Sequence, residues 1–115
     1  MNERRFETRL LCAQLARVEW TIGQDRFRTA EALLEDISPL GGCVQVESPI
    51  PVGTPIEMSF DSSDGTAGRF QGRVCYCAYR DIGYFVGVRF SGQHGWSSDM
   101  AVPEHLLNLD SLSPN

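Results

Sequence analysis

The chain contains no lysine. All ten of its basic residues are arginine, set against fifteen acids for a net charge of −5. An acidic balance excludes the broad cationic surface through which proteins bind DNA or RNA phosphates. Long hydrophobic runs are also missing, so no segment is expected to cross a membrane as a helix. Behind Met1-Asn2-Glu3-Arg4-Arg5 there is no apolar stretch of the secretory kind, and the expected compartment is the cytoplasm. Histidine occurs only at positions 94 and 105, and the four cysteines, at 12, 43, 75 and 77, form no CxxC knuckle. Structural zinc is therefore disfavoured, and the thiols are expected to be free. No arrangement of serine, histidine and acid suggests a nucleophile with its base, so an enzyme is not expected, nor a metal or a cofactor.

What is present is strand patterning. A length of 115 residues is that of one domain. Turn signals recur at Gly23-Gln24-Asp25, Ser38 to Gly42, Pro49 to Pro55, Asp61 to Gly68 and Arg80 to Gly83, a spacing that suits an antiparallel meander or barrel. Between them, apolar side chains fall on every second position in Ile56-Glu57-Met58-Ser59-Phe60 and in Tyr84-Phe85-Val86-Gly87-Val88-Arg89-Phe90, with Val44 and Val46 doing the same after Gly42. Residues 10–20 and 27–36 are read as strands with irregular alternation; by propensity alone Leu10 to Ala16 reads equally as helix, and strand is preferred because Val18 and Trp20 continue it toward a Gly-containing turn. The stretch from Gly72 to Tyr79 is apolar on both faces, as expected of a central strand covered twice or touching a partner. After Phe90 the chain turns polar, and Val102 to Leu109 is expected to form a short helix with Pro103 and Glu104 in its first turn.

Charge is unevenly distributed. Residues 1–28 carry six arginines against four acids, and residues 29–115 carry four against eleven. The cationic end contains Arg4-Arg5-Phe6-Glu7-Thr8-Arg9, in which Arg5 and Arg9 are four apart. An arginine fork grips a phosphate, or the O6/N7 edge of guanine, with two parallel hydrogen bonds. Taken alone, this segment reads as a solvated basic terminus offset by Glu3 and Glu7. Some thirty residues on lies Asp36-Ile37-Ser38-Pro39-Leu40-Gly41-Gly42. Asp and Ser at a bend either bond their own backbone or face outward. Facing outward, a carboxylate accepts the N1–H and N2–H donors of guanine as a matched pair, and Gly41 leaves room for a ligand to approach the backbone. Taken alone, this is a hairpin turn with an Asp-Ser cap.

In this order and setting the two stretches resemble the paired RxxxR and [DN]xSxxG motifs of the PilZ domain family, here Arg5…Arg9 and Asp36…Ser38…Gly41. The likeness continues through Pro49 to Glu57, Gly72-Arg73-Val74 and Gly87-Val88-Arg89-Phe90, and covers roughly residues 4–91. The resemblance implies a mainly all-β fold, a six-stranded antiparallel β-barrel with a short C-terminal helix. It implies an N-terminal arginine arm over residues 1–9, the barrel over 10–91, and a loop, helix and tail over 92–115. It further implies a receptor for the bacterial second messenger cyclic di-GMP, bound on the outer surface of the barrel. Arg5 and Arg9, helped by Arg4, would hold phosphate and guanine; Asp36 and Ser38 would read a guanine edge; Gly41 would keep the turn open. Ordering of the arm on the ligand would signal to a downstream protein partner. The competing reading is a PilZ-like barrel that binds protein partners without any nucleotide, for which the doubly apolar strand 72–79 and the aromatics Tyr79, Phe85 and Trp96 speak.

Overall fold

A computed structural model describes residues 10–24, 26–62, 64–91, 96 and 100–108, with Leu107 and Asn108 described by backbone alone. Six long strands, β1 (Leu10–Ile22), β2 (Arg26–Ser38), β3 (Gly41–Val46), β4 (Pro55–Asp61), β5 (Ala67–Arg80) and β6 (Gly83–Phe90), are joined by the two-residue β7 (Leu107–Asn108). Their order is β2-β3-β6-β5-β4-β1, all neighbours antiparallel, and β1 pairs back onto β2 to close a barrel. No helix among the described residues is long and apolar enough to cross a membrane.

The alternating segments form strands because one face of each can be buried. Val18, Leu34, Val44, Met58, Val74 and Val86 point inward and are essentially inaccessible to solvent. Phe60, Phe70 and Phe90 stack in a row inside, with ring centroids 5.9 and 5.2 Å apart. Ile50, in the loop after β3, is fully buried in the same core. Trp96 follows β6, which runs antiparallel to β3, and it covers the opposite mouth. Its indole N–H donates to the Ala101 carbonyl at 2.9 Å, and Ala101 is itself packed against Gly68.

The short helix expected over Val102 to Leu109 is not formed in its described part. Residues 102–106 form a turn, and Leu107 and Asn108 pair with Leu11 and Leu10. The backbone polar groups have found partners elsewhere. Glu104 N–H donates to the side-chain oxygen of buried Gln14, and the Glu104 carbonyl accepts from Ala13 N–H, both at 3.0 Å. His105 adopts a left-handed conformation (φ 58°), which a right-handed helix does not admit.

Removing the buried Trp96 side chain leaves a cavity in the core. Trp96→Ala is expected to cost ~3–5 kcal/mol in urea denaturation. In the loop after β4, Asp64 accepts hydrogen bonds from Ser62 Oγ (2.5 Å) and Thr66 N–H (2.9 Å), which lowers its carboxyl from 3.8 to about 2. A depressed carboxylate stabilises the fold above its unfolded pKa and ceases to do so as pH falls through its folded value. NMR titration should therefore place the Asp64 midpoint near 2 and shift it upward in Ser62→Ala.

Candidate functional site

Three strands carry one residue more than a neighbour, β1 at Cys12 and Ala13, β2 and β5, and the extra residues of β2 and β5 flank the same patch of outer surface. On β2, Leu34 opposes Val44 while Asp36 opposes Cys43, so Glu35 is inserted. On β5, Val74 opposes Val88 while Tyr76 opposes Gly87, so Cys75 is inserted. Each bulge reverses the side-chain alternation. Leu34 and Ile37 thus both reach the core, with Asp36 half-buried on the outer side between them and Ser38 buried against the turn that follows. Val74 likewise stays inside, and Tyr76, two residues later, lies outside at 43% exposure. The double-apolar reading of 72–79 arises from this inversion and not from a strand covered on both faces.

Asp36, Cys43, Gly87 and Tyr76 consequently form one row across β2, β3, β6 and β5. The Tyr76 ring lies directly over Gly87, where a Cβ would come within 2.2 Å of it. Beside this row sits the turn. Ser38 Oγ accepts N–H bonds from Leu40 (3.2 Å) and Gly41 (3.3 Å) and donates to the Gly41 carbonyl (3.3 Å). The Leu40 carbonyl accepts from Phe90 N–H at 2.8 Å, which pins the turn to the end of β6. A Cβ on Gly41 would stand 2.2 Å from the Val88 carbonyl. Glycine is required there for strand β6 to approach, a tighter constraint than room for a ligand. Together Asp36, Ser38, Gly41, Tyr76 and Arg89 border a recess of about 190 Å³. A larger recess of about 370 Å³, bordered by Trp20, Phe27 and Arg73, contains none of the motif residues.

The β2 edge of the site is acidic. Partial burial raises the Glu35 carboxyl above its ordinary value, and the neighbouring Asp36 charge raises it further. Cys12 lies against the same corner, its thiol donating to the Leu34 carbonyl at 3.5 Å. Burial, followed by the charges of Asp36 and Glu35, pushes that thiol up to about 12, which leaves it protonated and unreactive at neutral pH. Among the described residues no group of cysteines, histidines and acids could hold a metal.

Of the residues singled out in the sequence, Asp36, Ser38 and Gly41 are brought together. Arg4, Arg5 and Arg9 lie outside the described residues. The described chain begins at Leu10, which pairs with Ile37, and Leu11 pairs with Asp36. Two neighbours escaped the sequence reading, Tyr76 and Arg89. Arg89 stands directly opposite Gly41 across β3 and β6. The available signal was Gly87, since a glycine inside an otherwise apolar strand marks a close approach of another group. Gly87→Ala is expected to displace the Tyr76 ring and expose Cys43, which is buried although it faces outward. Peptide mapping after alkylation should show Cys43 labelled faster in the variant.

Comparison with known proteins bears on this geometry. The PilZ domain family model matches residues 3–95. No curated protein matches the chain. Among solved structures, the fold is similar to the "PilZ domain with c-di-GMP of YcgR from Escherichia coli", with a TM-score of 0.58 at 15% identity, covering 76% of this chain and 78% of that one. With the family model spanning most of its length and the barrel reproduced in its described part, the chain belongs to the PilZ domain family.

Proposed function

We propose that this protein is a cyclic di-GMP receptor whose site is assembled from the bulged outer face of the barrel and the N-terminal arginine segment. One observation carries the reading: Asp36, Ser38 and Gly41 border a single recess, and the strand that follows the arginines starts beside them, Leu10 against Ile37. Arg9 immediately precedes Leu10 in the sequence, which is why this reading assigns it to the site beside the turn. The recess of about 190 Å³ is smaller than the ~300–1,000 Å³ of pockets that enclose a ligand of this size. The barrel therefore offers one side of a site, and the arginine segment supplies the other. The solved YcgR domain of the same fold holds c-di-GMP.

In this reading Asp36 accepts the N1–H and N2–H donors of a guanine, and Ser38 keeps the turn in shape beneath it. Arg5 and Arg9, with Arg4 beside them, grip the phosphates and the other guanine edge. The carboxylates of Glu35 and Asp36 would by themselves repel a dianion, so in this reading the arginines are needed for the ligand to bind there. Closure of the segment over the ligand makes a composite surface, which a downstream protein reads. The β5–β6 hairpin, with Tyr79 and Ile82 about two-thirds exposed, favours a protein partner as well, and a barrel that binds such a partner without nucleotide is the second reading.

Calorimetric titration of cyclic di-GMP distinguishes the two. Saturable binding is expected for the wild type. Asp36→Ala and Arg9→Ala should each weaken it roughly 30- to 150-fold, the worth of one charge-assisted contact of ~2–3 kcal/mol. Absence of saturation in the wild type would favour the protein-binding module.

A further inference from the structure

The outer face next to the turn holds a second cationic feature that neither motif contains. Arg89 of β6 is paired with Gly41 on one side and with Arg73 of β5 on the other. Val88 and Val74 point into the core, so Arg89 and Arg73 share the outer face as a directly opposed pair. Like charges in that position, with Cβ atoms ~5 Å apart, destabilise a sheet. Arg73 is partly engaged, its guanidinium donating to the Gly53 carbonyl at 2.9 Å. Arg89 is exposed and makes no hydrogen bond or ion pair with any described residue. It borders the same recess as Asp36, Ser38 and Gly41. Such a pair is unfavourable in the empty protein and becomes favourable once an anion lies against it.

Resting on the receptor reading above, we propose that Arg89, reinforced by Arg73, is a phosphate anchor built into the barrel and a specificity determinant for a doubly anionic ligand. The site then grips its ligand from two sides. The N-terminal arginines reach it from a terminal segment. Arg89 is held on a strand whose neighbours on both sides fix its backbone, so less freedom is lost when it binds. The turn and the bulges orient the guanine, and Arg89 selects for charge, rejecting neutral guanosine or a singly charged analogue.

The test is titration of the full chain with cyclic di-GMP at several salt concentrations, using wild type, Arg89→Gln, Arg89→Lys and Arg73→Gln. Arg89→Gln should weaken binding roughly 10- to 150-fold and flatten the dependence of log Kd on log salt. Arg89→Lys, which keeps the charge and loses the fork, should retain the salt slope and recover part of the affinity. Arg73→Gln should cost only about two- to fivefold. The empty Arg89→Gln protein should melt no lower than wild type, because a like-charge opposition has been removed, so weaker binding with an unchanged Tm identifies a lost ligand contact. Wild-type binding with Arg89→Gln within twofold and an unchanged salt slope overturns the anchor and leaves the receptor reading standing. Failure of the wild type to bind overturns both.

Discussion

A β-strand presents alternate side chains to opposite faces, and a single inserted residue reverses the order from that point on. Two of the insertions here, Glu35 in β2 and Cys75 in β5, fall beside the recess, where outward polar groups meet an inward face that still has to fill a core. Were Glu35 paired regularly, with no bulge, Asp36 would share the inner face with Leu34 as a buried carboxylate, and Ile37 would be driven into solvent. The bulge allows Leu34 and Ile37 to be fully buried with Asp36 outside. The same device on β5 keeps Val74 in the core and lays the Tyr76 ring over the bare backbone of Gly87. Polar recognition and apolar packing are thereby served by consecutive residues.

The electrostatics follow from that placement. Partial burial, and then the charge of Asp36, raises the Glu35 carboxyl, and burial followed by the charges of Asp36 and Glu35 holds Cys12 protonated. A carboxyl raised in the folded state binds its proton more tightly there than in the unfolded chain. Its contribution therefore opposes folding as pH rises through the interval between the ordinary and the raised value. On the other side of the recess, Arg89 opposes Arg73. In the proposed receptor, the base edge of a guanine nucleotide would meet Asp36 and its phosphates Arg89.

The far end of the chain supports this arrangement. The β1 irregularity at Cys12 and Ala13 frees backbone that would otherwise serve β2, and the Glu104 carbonyl accepts from Ala13 N–H while its own N–H donates to the Gln14 side chain. Trp96, bonded to the Ala101 carbonyl, is buried in the core nearby in the chain. The segment is too deeply committed to these contacts to coil into a helix, so the helical pattern of Val102 to Leu109 had no bearing on its outcome in the described part.

The sequence alone determined the strands and their punctuation, because regular alternation and turn residues are local properties. It also determined the Asp36-to-Gly41 turn, whose shape rests on bonds from Ser38 Oγ to residues two and three positions away. The two bulges were hidden, since an inserted residue erases the very period by which a strand is read; β5 therefore looked apolar on both faces, and β1 and β2 looked irregular. Tyr76 and Arg89 were hidden for a different reason. They are distant from the turn along the chain and reach it only through the register of β3 with β6 and of β6 with β5. Register is decided by how the whole barrel buries its inner face, and that is a property of the folded sheet rather than of any one segment.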